Sequence, residues 1–359
     1  MKRVGIITIC GNDNFGNKLQ NYALLKKIDK FGFDARTIWI ENSFESNSFK
    51  ALLKKVKHVI NDYIINYSRN KFFIYFTKEN LKIYKKKLVF NDDLKKIEKD
   101  FSYFIVGSDQ VWNYQMVGNF KTYFMLNVNS NKNISYAASI GTNEIPEYLN
   151  PTYISGFNNL KSISVREDRG KEIVEELTGR KDVEVLVDPT MLLTSEEWDK
   201  VSKKPKMLKT DKYILNYFLG ELSEKRKKEI QRVAQENDCE IINILDKNSP
   251  FYECGPSEFI YLEKHAFLIC TDSFHSSVFA ILYNRPFIVF DREQKNVANM
   301  NSRLETLLNK FKLENRKYKD KITKENLNHD YTEAYKILEK ERIKADKFLR
   351  KALDIKDSD

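Results

Sequence analysis

Short apolar runs alternate with helical stretches along this chain from residue 3 to residue 290, and few architectures satisfy that rhythm. Strand-like runs occupy 3–10, 33–40, 101–107, 132–138, 160–165 and 183–187. A second series lies at 211–218, 239–245, 266–270 and 286–290. Helical stretches intervene, for example 17–31, 168–178, 223–237 and 275–283. Such alternation predicts an α/β fold of parallel sheets covered by helices on both faces, because a parallel connection needs a crossover. The stretch 195–210 is polar and lacks strand character, so the chain is expected to divide there. At about 150 residues per domain, 359 residues allow two domains. The expected units are 1–195 and 211–325, each doubly wound and Rossmann-like, followed by a helix within 326–359. In that last segment Asp330 and Glu333 fit a capping box with Asp in place of the usual Ser or Thr. Tyr331, Ala334, Tyr335, Leu338, Ala345, Phe348, Leu349 and Ala352 would line one face and could pack back on the first domain.

Composition removes several classes. With 42% hydrophobic and 31% charged residues, the chain can bury a core and does not read as disordered. No apolar run approaches the roughly 18 residues of a membrane span. Met1-Lys2-Arg3 leads directly into a strand-like run rather than a signal-peptide core. The four cysteines, Cys10, Cys239, Cys254 and Cys270, show no Cys-x-x-Cys spacing, which argues against a disulfide framework and a zinc cluster. A reducing, cytoplasmic setting is expected, with no metal.

The net charge of +10 is uneven, since residues 50–100 hold 14 Lys and Arg against 6 Asp and Glu. No nucleic-acid motif accompanies that charge, so no nucleic-acid partner is expected. Phe49, Leu52, Leu53, Val56, Val59, Ile60, Tyr63 and Ile64 recur at helical spacing, with Lys50, Lys54, Lys55 and Lys57 mostly opposite. This reads either as an amphipathic helix packed on its own domain or as a peripheral contact, over 49–64, with an anionic membrane. A basic helical segment is expected across 43–90.

Four segments could carry chemistry. Gly11-Asn12-Asp13-Asn14-Phe15-Gly16-Asn17-Lys18-Leu19-Gln20 follows the first strand and opens a helix. Free N–H groups at such a start attract anions, although the segment is neither a dinucleotide fingerprint nor a P-loop. Gly107-Ser108-Asp109-Gln110-Val111-Trp112-Asn113 follows the strand 101–107. There Asp109 could accept a proton, or simply cap the next turn. Ser164-Val165-Arg166-Glu167-Asp168-Arg169 also stands at a strand end, where open α/β sheets bind ligands. Arg166 could grip a carboxylate or phosphate, or form a surface ion pair. Thr271-Asp272-Ser273-Phe274-His275-Ser276-Ser277 places a histidine at a helix start among hydroxyls, a setting for proton transfer near an anion or for a structural cap.

Together these segments resemble the polysaccharide pyruvyl transferase family. The matching stretches are GNDNFGNKLQNYAL (11–24), FIVGSDQVWN (104–113), SYAASIG (135–141), SVRED (164–168), DPTMLL (188–193), GPSEFIYL (255–262) and TDSFHSSVFAILYNRPF (271–287), in family order. The resemblance implies a GT-B-like fold, two α/β domains facing a central cleft. It also implies transfer of pyruvate from phosphoenolpyruvate onto two hydroxyls of one sugar in a surface-polysaccharide precursor. The products would be a cyclic ketal and phosphate, with no cofactor beyond phosphoenolpyruvate as co-substrate. By the same resemblance Arg166 and His275 contact the donor and Asp109 matches an acidic site residue. The chemistry of such a transfer makes His275 the candidate general acid or an aid to phosphate departure, Arg166 the anion clamp, and Asp109 the candidate base or acceptor-orienting residue. Ser273, Phe274, Ser276, Asn14 and Asn17 would line the donor pocket, and Gln20, Trp112 and Asn113 the acceptor wall. Ser276 stands where the family often has Gly, so its hydroxymethyl would crowd the donor or add a hydrogen bond. The acceptor would be a glycan, including a lipid-linked one. A metal-independent GT-B glycosyltransferase using a nucleotide sugar, and a non-catalytic binding protein on the same scaffold, are the competing readings.

Overall fold

A computed structural model of the chain describes residues 1–11, 14–40, 67, 69–84, 91–117, 120–292 and 302–356. The expected helix 49–64, with its membrane-contact surface, lies outside the described residues, as does part of the basic segment 43–90. Among the described residues no helix is long and apolar enough to cross a membrane.

Among the described residues ten short parallel strands build the two lobes. They are β1 (Arg3–Ile7), β2 (Asp34–Ile38), β3 (Tyr103–Val106), β4 (Asn133–Ser135), β5 (Ser164–Val165), β6 (Glu184–Val185), β7 (Tyr213–Tyr217), β8 (Glu240–Asn243), β9 (Leu268–Thr271) and β10 (Phe287–Val289). The first sheet runs β2-β1-β3-β4, and parallel bridges Ile134–Ser162 and Ala138–Val165 carry it on to the β5-β6 pair. The second runs β10-β9-β7-β8. Central strands such as β1, β3 and β9 are apolar nearly throughout because helices cover both faces. Parallel pairing has a functional consequence. Within each sheet every strand delivers its C-terminal residue to the same edge, and that edge is where open α/β sheets hold ligands.

One continuous core joins the lobes. Phe15, at the start of the helix Phe15–Lys30, stacks on Phe259 at 4.5 Å and meets Tyr217 at 5.7 Å, both from the second lobe. The polar stretch 195–210 is not a loose connector. Its helix Ser195–Asp199 starts with a Thr194/Glu197 capping box and buries Trp198 between Tyr22 (5.4 Å) and Phe279 (5.0 Å).

The final helix, Thr332–Ala352, lies against both lobes. Arg342 donates to the carbonyls of Met191 and Leu193, each at 2.8 Å, and Asp346 pairs with Lys27 at 2.5 Å. On the other side Tyr335 donates to the Ile281 carbonyl at 3.0 Å. Its start differs from the expected capping box. Tyr331 occupies the N-cap position, Asp330 accepts from the Thr332 N–H at 2.9 Å, and Glu333 pairs with Lys312. The aromatic Tyr331 is buried and donates to the Arg285 carbonyl, so packing rather than capping fixes where this helix begins.

Candidate functional site

A buried carboxylate organises the cleft. Asp188 follows β6 and is fully buried. Its Oδ1 accepts from the Thr190 N–H (3.0 Å) and hydroxyl (2.7 Å), which fixes the side chain against its own backbone. Its Oδ2 then accepts from Arg166 Nη1 at 2.6 Å and from the Ser108 hydroxyl at 2.7 Å. His275 Nε2 stands 3.6 Å from the same oxygen, an ion-pair distance just beyond a formed hydrogen bond. Burial pushes the Asp188 carboxyl up, but His275, Arg166 and the Ser108 hydroxyl outweigh it and hold the group well below the usual carboxylate range. The anion is therefore a permanent part of the site.

Each of these groups arrives by the same route. Ser108 and Asp109 follow β3, Arg166 follows β5, Asp188 follows β6, and Asp272 to His275 follow β9. Arg166 and His275 come from different lobes and share one carboxylate. Arg166 is also seated over the Phe274 ring, its guanidinium carbon 4.5 Å from the centroid. That stacking leaves the guanidinium plane fixed by an aromatic face and one Nη1 by Asp188. Its Nε and Nη2, both buried, have no hydrogen-bond partner. These two donors share one edge of the guanidinium, the edge that takes a carboxylate in bidentate fashion.

Asp109 sits 3.7 Å from Arg166 Nη2 and is buried. Its φ of 74° is left-handed, a conformation Asp tolerates because its short side chain can bond locally. Here Oδ1 accepts from the Gln110 N–H at 2.8 Å. Next to it, Glu167 is fully engaged on one side, accepting on Oε1 from the Ser139 hydroxyl and the N–H groups of Ile140 and Gly141.

The wall opposite His275 is the start of the helix Phe15–Lys30. Asn14 caps it, accepting from the Asn17 N–H at 3.2 Å. Gly16 lies flat against the imidazole, and a Cβ built there would come within 2.5 Å of His275 Cε1. Only glycine permits that approach. The helix Phe274–Leu282 begins at the same place, with Ser273 as its N-cap. Two helix starts, one per lobe, thus face each other across the histidine, a setting that favours an anion between them. Asn12 and Asp13 of this loop lie outside the described residues.

The structure does not bring every expected residue to the cleft. Ser276 turns into the core, its hydroxyl donating to the buried Glu263 at 2.6 Å, because one helical step rotates it about 100° from His275. It neither crowds nor bonds a ligand beside His275. Trp112 is fully buried, stacked on Phe124 at 5.5 Å and donating to the Tyr123 carbonyl. Asn113 is buried as well, donating to Gln110 and accepting from the Gln115 N–H. Both therefore shape the loop after β3 rather than an acceptor wall. Gln20 is also fully buried and donates to the Thr8 hydroxyl and the Asn17 carbonyl. Asp188 was the residue to find. It follows a strand-like run at 183–187, and that position was its sequence signal.

Among the described residues no group of three or more His, Cys, Asp or Glu side chains could hold a metal ion. The arrangement has instead a fixed cation with a free donor edge, an imidazole and two helix starts. Such a set can bind a small polyanion and move a proton to or from it.

No curated protein matches the chain. Among solved structures, UDP-GlcNAc 2-epimerase from Methanocaldococcus jannaschii is similar over 94% of this chain and 98% of its own, at 15% identity and a TM-score of 0.50. UDP-N-acetylglucosamine 2-epimerase from Rickettsia bellii shares 11% identity over 99% of this chain and 97% of its own, with a TM-score of 0.49. The first of these likenesses, with the two parallel sheets, shows a GT-B-like fold. The family model for polysaccharide pyruvyl transferase matches residues 14–294, which contain β2 to β10 and Asp109, Arg166, Asp188 and His275. The chain belongs to the polysaccharide pyruvyl transferase family.

Proposed function

We propose that this protein transfers pyruvate from phosphoenolpyruvate to two hydroxyls of a sugar in a surface-polysaccharide precursor, forming a cyclic ketal and releasing phosphate. The observation that carries the reading is the meeting of Arg166 and His275, one from each lobe, on the Asp188 carboxylate. Phosphoenolpyruvate is an enol ester bearing a carboxylate and a phosphate. The free Nε–Nη2 edge of Arg166 suits the carboxylate, and the facing helix starts suit the remaining negative charge.

In this reading His275 protonates the methylene carbon, which leaves C2 electron-poor. A sugar hydroxyl adds to C2 and gives up its proton, restoring the one His275 delivered. The C2–O bond to phosphate then breaks, with the electron pair leaving on the phosphate. The second hydroxyl closes the ketal, and its proton ends on the departing phosphate or in solvent. Asp109, beside Arg166, is the candidate acceptor for a hydroxyl proton. Asp188 orients the imidazole and holds Arg166, and the lobe interface excludes water from the imidazole.

A thermal-shift titration with phosphoenolpyruvate and a panel of nucleotide sugars tests donor choice, since a ligand selective for the native state raises the melting temperature. Stabilisation by phosphoenolpyruvate, with phosphate release when a glycan extract is added, is the expected result. Stabilisation by a nucleotide sugar alone would replace this reading with glycosyl transfer on the same scaffold.

A further inference from the structure

A second buried arginine, in the electrostatic field of the same site, has a donor left unpaired. Arg303 lies in the helix Ser302–Phe311 of the second lobe and is 8% exposed. Its Nε is buried and has no hydrogen-bond partner. Among the described residues no carboxylate closes on it as an ion pair. The charges in its field are Arg166, Asp109, Glu167 and Arg292. Arg166 is on Asp188, Arg292 is on Asp272 at 3.1 Å, and Asp109 is on the Gln110 N–H. Glu167 holds the Ser139 hydroxyl and two N–H groups on Oε1, while its buried Oε2, like Arg303 Nε, has no hydrogen-bond partner.

Among the described residues no closed ion pair rewards that placement, which has only the field of Asp109 and Glu167 in its favour. Burial, then the repulsion of Arg166 and Arg292, lower the guanidinium to about 10 against the pull of Asp109 and Glu167. The group is still cationic at neutral pH. A buried cation beside another cation, with a donor unbonded, destabilises the chain that carries it unless an anion arrives. Arg303 stands in the field of Arg166 and Asp109 from the first lobe and of Arg292 from its own, and its helix packs against the helix Phe274–Leu282 that carries His275.

We propose that Arg303 is a second anion-binding arginine of the donor site, holding the phosphate group of phosphoenolpyruvate from the second lobe while Arg166 holds the carboxylate from the first. The division follows from the donors. Arg166 offers one two-donor edge, sized for a planar carboxylate, and Arg303 supplies the additional charge that a phosphate dianion requires. This rests on the pyruvyl-transfer reading, and it adds which side chain meets which end of the donor.

The test compares wild type with Arg303→Met and Arg303→Lys. The probes are inorganic phosphate, pyruvate and phosphoenolpyruvate, read by calorimetric titration and by melting temperature without ligand. Loss of one charged hydrogen-bonding partner should weaken phosphate and phosphoenolpyruvate roughly 10- to 100-fold in Arg303→Met and leave pyruvate binding near wild type. The KM for phosphoenolpyruvate should rise more than kcat falls, and Arg303→Lys should recover part of the loss. The melting temperature of ligand-free Arg303→Met should be higher than wild type, because an unpaired buried cation is gone. A structural arginine would lower it. Wild-type binding of phosphoenolpyruvate with equal binding by Arg303→Met overturns the inference and leaves the pyruvyl-transfer reading standing. Wild-type protein that binds no phosphoenolpyruvate overturns both.

Discussion

Gly16→Ala should cut turnover by about 10²–10⁴ while lowering stability by no more than about 2 kcal/mol. A Cβ at position 16 would stand 2.5 Å from His275 Cε1 and 2.7 Å from Cγ, with Nδ1 closer still. The neighbour is a ring on another lobe rather than the tip of a flexible chain, so the imidazole itself must move. Overpacking of this kind costs about 1–3 kcal/mol. Against it, replacing Gly by Ala inside a helix returns about 1 kcal/mol. The net change in unfolding free energy is therefore within about 2 kcal/mol. The imidazole, however, leaves its place beside Asp188, and a displaced acid forfeits a factor of about 10²–10⁴ in rate. The assay is phosphoenolpyruvate-dependent phosphate release with glycan extract, run beside calorimetric unfolding and a His275→Ala control. A Gly16→Ala protein that turns over at the wild-type rate, while His275→Ala is silent, would refute the close approach of the two helix starts.

Two further outcomes concern buried acids. Asp188→Asn leaves Arg166, 1% exposed at its side chain, without its partner anion, and breaking a buried pair from one side costs about 3–5 kcal/mol, read by denaturant unfolding. Because the folded Asp188 carboxyl is held far below its ordinary value, its stabilisation is fully present above about pH 4 and disappears only as pH falls through that depressed value. The gap to Asp188→Asn should therefore still be open at about pH 5 and close only in stronger acid. A gap already closed at about pH 5 would contradict the assignment. Glu263 behaves oppositely, since burial raises its carboxyl well above the usual range despite the Ser276 hydroxyl bond. Below about pH 4 folded and unfolded chains are both protonated there. Above it the folded chain must keep a proton the unfolded chain releases, at about 1.4 kcal/mol per pH unit until the raised folded value is reached. Glu263→Gln should gain stability over wild type as pH rises through that window, and equal pH dependence of the two proteins would count against a buried neutral acid.

The sheets were legible because a parallel strand covered on both faces is a short, nearly unbroken apolar run, and β1, β3 and β9 are of that kind. The site was legible where its residues sit at a strand end or in the few residues after one, as Arg166, Asp109 and His275 do. What could not be read was side-chain direction in the turns that follow. Trp112 and Asn113 stand only a few residues beyond Asp109, yet the left-handed step at Asp109 turns the loop so that they enter the core. Ser276 is adjacent to His275 in sequence and points the other way round the helix. Asp188 gave only half a signal, since its importance comes from partners at Ser108, Arg166 and His275 that no local spacing connects. Arg303 gave none. It follows no described strand directly, and that its buried Nε lacks a partner is visible only in the packed structure.

The central claim is that the two lobes jointly move a pyruvyl group onto a glycan, and mass spectrometry of the product tests it most directly. Glycan intermediates incubated with the enzyme and phosphoenolpyruvate should gain the mass of one pyruvyl ketal, with one phosphate released per gain, and neither should occur with His275→Ala. A wild-type enzyme that binds phosphoenolpyruvate but adds no such mass to any intermediate, or a His275→Ala protein that adds it at the wild-type rate, would contradict the account.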